Sequence, residues 1–152
     1  MTTNVESQRL IVPAMAGLYD LGSTISYPLI RVVAGIWMVP HGARKLFGGT
    51  IQGTADAFSK FGLEPALPLA YLVGAAEFFG GLLIAIGLLT RPAAAAAAII
   101  MAIATFHVHL GNGFFWNKGG YEYPLMWMFL MIAIFLKGGG NLAVDNLLKK
   151  QF

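Results

Sequence analysis

Apolar residues fall into four long blocks separated by short polar punctuation, a spacing that predicts an all-α chain. The blocks run from about Tyr27 to Phe47, Pro68 to Leu89, Pro92 to Leu110 and Tyr123 to Leu136. A bilayer crossing needs roughly 20 apolar residues at about 1.5 Å each. The second and third blocks meet that length. The first holds Arg31 and Pro40 among apolar neighbours, and the fourth is short before Lys137, whose long stem can snorkel. Upstream, Leu10, Ile11, Ala14, Met15 and Leu18 share one helical face, which predicts a short amphipathic helix on the membrane surface. The expected fold is an integral membrane four-helix bundle with a short N-terminal amphipathic helix. Its organisation is an amphipathic segment over 1–26, the bundle over 27–140 and a cytoplasmic tail over 141–152.

The connections differ in kind. Gly48 to Pro65 is too long for a tight turn, and Thr54 to Phe61 within it is expected to be amphipathic and helical. Thr90-Arg91-Pro92 reads as a minimal turn, with Pro92 opening the third helix. Gly138 to Gly140 end the fourth. Gly74, Glu77 and Gly81 share one face of the second helix, where small residues allow backbones to approach closely. Four crossings put both termini on one side. Arg9, Arg91, Lys137, Lys149 and Lys150 share that side, against Arg44, Lys45, Lys60 and Lys118, so positive-inside counting favours cytoplasmic termini by five to four.

Composition sharpens the class. Of 152 residues, 57% are hydrophobic and 11% charged; a water-facing domain has about 25% charged residues, so the lipid bilayer is the expected solvent. The net charge of +3 is scattered rather than striped, which argues against a nucleic-acid partner. There is no cysteine. That excludes disulfides, a CxxC redox pair, thiolate-held iron–sulfur clusters and covalently attached haem, so any redox work needs a bound cofactor or a partner. The first residues carry no basic region, so a cleavable secretory signal is not expected.

Candidate chemistry concentrates in Thr105 to Pro124, at the junction of two apolar runs. Ionisable groups at such depth are costly and tend to have a task. Arg31 and Glu77 are the deepest charges. They can pair to pin two helices, or Glu77 can lie on a proton or quinol path, or Arg31 can snorkel beside a protonated Glu77. His41 follows Pro40 near the outer end of the first helix, and His107 lies at similar depth on the third. Such a pair could ligate b-type haem or a metal, although lone helix-end histidines are more often hydrogen-bonded structural groups. His107 and His109 lie about 200° apart on a helix and cannot chelate together. No metal is expected. Tyr121, Tyr123 and Trp127 also suit an interfacial aromatic belt, while Glu122 opens the fourth helix, where the dipole favours it.

These elements together resemble a known family. The run from Arg31 through Pro40-His41-Gly42-Ala43-Arg44-Lys45-Leu46-Phe47-Gly48, then Gly87 to Pro92, His107, and Gly119-Gly-Tyr-Glu-Tyr-Pro124, is similar to the DoxX family of small bacterial membrane proteins, over about Leu29 to Asp145. The resemblance implies a four-helix membrane fold in the bacterial inner membrane with cytoplasmic termini, and relatives described as subunits of quinol oxidase or thiosulfate:quinone oxidoreductase. Its motif positions here are Arg31, His41, Gly42, Lys45, Glu77, His107, Tyr121, Glu122 and Pro124. The expected function is a membrane redox-accessory subunit. His41, Glu77, His107 and Glu122 would exchange protons in an outward-facing pocket. Arg31, Trp37, Lys45, His109, Phe114, Tyr121 and Tyr123 would help hold a quinone there. The rival expectation is a non-catalytic subunit that assembles or stabilises a larger membrane or redox complex.

Overall fold

The computed structural model describes residues 10–148. The regular elements among them are all helical. Helix α1, Ala16–Leu46, follows a single 3-10 turn at Pro13–Met15. At about 1.5 Å per residue its 31 residues reach about 46 Å, well beyond a hydrocarbon core of about 30 Å. The expected break between a surface helix and the first crossing does not occur. The polar residues between them lie within α1: the Ser23 and Thr24 hydroxyls both donate to the Asp20 carbonyl, at 2.7 and 3.2 Å. Such bonds occupy the side chain locally and let the helix continue. The part of the expected N-terminal segment before Leu10, and the part of the expected tail after Leu148, lie outside the described residues.

Helix α2, Ile51–Lys60, starts three residues ahead of the expected amphipathic helix and buries Ala55 against Ala66 and Ala70. Helix α3 spans Ala66–Ile86 and α4 spans Thr90–Asn112. With Pro13–Leu46, these are the three described helices long and apolar enough to cross a membrane. Each of α3 and α4 widens into a π-turn, at Ala76–Gly80 and Ala104–His109. The reversal between them falls at Gly87 to Leu89, both left-handed with φ of 74° and 49°, so α4 begins two residues before Pro92. Helix α5, Glu122–Lys137, has 16 residues and stops at Gly138, whose φ is 75°. Its length is about 24 Å, less than the hydrocarbon core.

Small residues decide the packing. A methyl group on Gly35 would lie 2.5 Å from the Gly81 carbonyl oxygen, and one on Gly42 would lie 2.6 Å from that of Gly74. Positions 35 and 42 of α1, and 74 and 81 of α3, are each two turns apart on one face, so the antiparallel helices touch backbone to backbone at two points. Glu77 sits between those points and therefore faces α1. Alanines 93, 94 and 97 serve α4 in the same way, meeting Met131 and Ile134 in the common core. Large apolar side chains lie outside instead: Leu72, Ile99, Phe129 and Leu136 are 60–69% exposed. A small-residue interior under a large-residue exterior suits a lipid solvent, which rewards close packing rather than burial of bulk.

The ends of the assembly differ. The end bearing the start of α1 and the finish of α5 closes tightly, with Ala34, Ile84, Ala94 and Ile134 at 0–1% exposure. A slot runs along the seam of α1 and α5 from Leu29 to Trp37, and a cavity adjoins it toward the opposite end.

Candidate functional site

At the closed end, Arg31 is 1% exposed and donates to three carbonyls: Ile84 at 2.5 Å, Ala85 at 2.7 Å and Leu142 at 2.6 Å. Of the three arrangements considered for Arg31 and Glu77, the direct pair is not formed. The left-handed turn at Gly87 brings the last carbonyls of α3 within reach of the guanidinium, which adds a charged donor to a helix C-terminus whose Leu83 and Ile84 carbonyls also accept the Gly87 N–H. Beside it, Asp145 accepts from the Leu89 N–H at 2.7 Å, the Thr90 N–H at 3.1 Å and the Thr90 hydroxyl at 2.7 Å. Its own N–H donates to Gly87 at 2.7 Å. The Tyr27 hydroxyl donates to the Gly138 carbonyl. Sequence reasoning missed Asp145; an acid shortly after a glycine run was the available signal.

Asp145 responds to pH in a defined direction. Burial raises its carboxyl, but the bonds from Thr90 and Leu89 and the charge of Arg31 outweigh burial and hold it below the usual carboxylate range. A lowered folded-state value means the stabilisation is complete above the unfolded value of about 3.9 and is lost as pH falls through the folded value beneath it. Asp145→Asn is expected to melt earlier at neutral pH, by about 1–2 kcal/mol. The gap to the parent should close in acid, read from tryptophan-fluorescence melts across pH 2–7.

The cavity lies at the other end. Its volume is about 200 Å³, and His41, Glu77, His109, Trp37, Tyr123 and Trp127 stand in its wall. The π-turns put two of these there: Glu77 lies in the turn of α3 and His109 closes the turn of α4. A π-turn inserts one extra residue and rotates the following face, a distortion that recurs at functional sites. The Glu77 carboxylate pairs with the Lys45 ammonium at 2.5 Å, with side chains 9% and 19% exposed. The His109 ring bonds the Gly119 carbonyl at 2.7 Å. A carbonyl only accepts, so Nδ1 carries the proton, and in the neutral ring Nε2 keeps a free lone pair. Among the described residues the Trp127 indole nitrogen is buried and meets no acceptor.

The remaining expected site residues are elsewhere. His107 is turned the other way, its Nε2–H donating to the Phe61 carbonyl at 2.8 Å and tying α4 to the end of α2. The histidine that joins His41 at the cavity is thus His109. Glu122 accepts the Trp116 N–H at 2.9 Å, and the Tyr121 ring stands edge-on to Phe114 at 5.7 Å. These three brace the loop before α5. Met38, Met101 and Trp127 are cavity residues outside the sequence-derived set. Trp127 was legible, one turn beyond Tyr123 on the same face of α5. No group of three His, Asp or Glu able to hold a metal forms among the described residues.

Long apolar helices, an inverted distribution of side-chain sizes, and buried charges placed at the sealed end (Arg31) and the cavity wall (Glu77) define an all-α integral membrane protein. The chain belongs to the DoxX family, whose model matches residues 27–110, including His41, Glu77 and both π-turns. It is 33% identical over 117 residues to a Bacillus subtilis protein named "Putative oxidoreductase CatD", covering 77% of this chain and 82% of that one. Two uncharacterized proteins of Haemophilus influenzae are 28% and 31% identical to it, over 137 and 122 residues. Those alignments cover 89% and 77% of this chain, and 91% and 86% of theirs. No solved structure matches.

Proposed function

We propose that the protein is a redox-accessory subunit of the bacterial inner membrane that binds a quinone in the cavity between α1 and α5. In this reading α5 completes a fourth crossing, both termini are cytoplasmic, and the cavity lies toward the outer face. The observation that carries it is the pairing of aromatic walls with unspent polar capacity: a buried Trp127 N–H without an acceptor, beside a histidine with a free ring nitrogen. A quinone carbonyl would supply the missing acceptor, with Trp37 and Tyr123 as aromatic neighbours for its ring. A bound quinol would need proton acceptors when oxidised by a partner subunit, and His109 Nε2 and the Glu77 carboxylate are the groups at the cavity wall that would serve. The Lys45 ammonium lies against the Glu77 carboxylate at the edge of this cavity. The family relative with an oxidoreductase name is consistent with such a role.

Equilibrium partition of a benzoquinone into protein-loaded against empty nanodiscs tests it. Trp127→Phe keeps the ring and deletes the N–H, so affinity is expected to fall about threefold to tenfold. Equal binding by both forms, or none by either, removes the reading. A specific observation favours a second role: Phe114, Phe115 and Trp116 are 50–68% exposed in succession on the loop before α5. A stoichiometric partner held in mild detergent without bound quinone would assign the protein to non-catalytic assembly of a membrane complex.

A further inference from the structure

We infer that the slot between α1 and α5 is a lateral portal for the linear hydrocarbon tail of a ligand whose aromatic head occupies the cavity. The inference rests on the quinone reading and adds the shape of the ligand and its route. The slot measures about 430 Å³ and is flanked by Ile30, Val33 and Ala34 of α1 and by Met126 and Leu130 of α5. It adjoins the cavity, since Trp37, Tyr123 and Trp127 line both. One ring from α1 and two from α5 stand at the junction, with the Tyr123 and Trp127 rings 6.2 Å apart.

Size and polarity divide the two spaces. The cavity alone, at about 200 Å³, is smaller than the roughly 300–1,000 Å³ of ligand clefts, and with the slot it passes that threshold. The cavity holds the ionisable groups. The slot away from the junction offers only hydrocarbon, so hydrogen bonding selects the head and not the tail. Ile30, Val33 and Met126 are 44–56% exposed on helices read as crossing the bilayer, so the slot opens to acyl chains.

On the opposite flank His109, Tyr123 and Pro124 are shared with a recess bounded by Trp116, Gly119 and Gly120 of the loop before α5. The head therefore has a loop-side opening for proton exchange while the tail stays in oil. A tailless solute would forgo the slot, and a bilayer lipid would bring a charged phosphate to three rings. The arrangement fits a prenylated or alkylated aromatic.

The test compares dimethoxy-methyl-benzoquinone with the same ring carrying a geranyl tail, on protein in nanodiscs at equal membrane concentration. The tailed compound is expected to bind the parent about tenfold more tightly than the bare ring, after subtraction of empty-disc partition. The double variant Val33→Trp with Met126→Trp fills the slot from its lipid-facing side and should abolish that advantage while keeping the affinity for the bare ring. Val33→Cys, the sole thiol in a chain without cysteine, gives a second handle. Benzyl methanethiosulfonate should remove the tail's advantage and a reductant should restore it, which separates blockage from misfolding. An advantage that survives blockage, or none in the parent, overturns the portal and leaves the quinone reading standing. Failure of both compounds to bind the parent overturns both.

Discussion

Arg31→Met is expected to leave less folded protein in the membrane fraction, with part of the material eluting as aggregate in detergent. The guanidinium serves three carbonyls from two segments, Ile84 and Ala85 of α3 and Leu142 beyond α5. Methionine fills similar volume but leaves those oxygens without the charged donor. The Ile84 carbonyl keeps the Gly87 N–H and the Ala85 and Leu142 contacts are only part-buried, so the loss is expected at about 2–3 kcal/mol. That is an appreciable part of a typical stability of about 5–15 kcal/mol. Arg31→Lys should rescue only partly, because a single ammonium cannot reproduce a planar fork that reaches α3 and Leu142 together. Tryptophan-fluorescence melts suit the measurement, and a melting temperature unchanged by Arg31→Met would show that the guanidinium is dispensable.

Gly35→Ala is expected to destabilise by about 2–3 kcal/mol, because its methyl would lie 2.5 Å from backbone atoms of Gly81 and Ala85. Neither neighbour can rotate aside, so α1 and α3 must separate, and the Lys45–Glu77 contact between them should lengthen as well. Gly80→Ala is the control. It adds the same methyl next to Gly81, but nothing lies within 4 Å of it. That change should be neutral or stabilise by up to about 1 kcal/mol through reduced unfolded-state freedom. Equal melting of the two variants would contradict the backbone contact.

The helical class and most helix positions were legible, because apolar block length and glycine punctuation act locally. The face of α3 carrying Gly74, Glu77 and Gly81 was legible for the same reason, since spacing on one helix fixes which residues share a side. The partners across helices were not. Arg31 and Glu77 each needed an opposite group, and pairing them with one another was the economical assignment. The fold instead gives Arg31 the ends of α3 and the segment after α5, and gives Glu77 the nearby Lys45. His107 and His109 show a finer limit. Ideal helical geometry separated them correctly, but which one meets the cavity depends on where α2 folds over α4, and α2 announces itself only as a short amphipathic run.

The two bonds at the closed end have a consequence for biosynthesis. Leu142 lies 111 residues after Arg31, and Asp145 lies 55 residues after Thr90. When a ribosome delivers α1 to the insertion machinery, its arginine has neither set of oxygens that will later receive it. Arg31 therefore gains its α3 acceptors only after 53 further residues are made and its last acceptor only after 111, so the contact that closes this end is among the latest the growing chain can form.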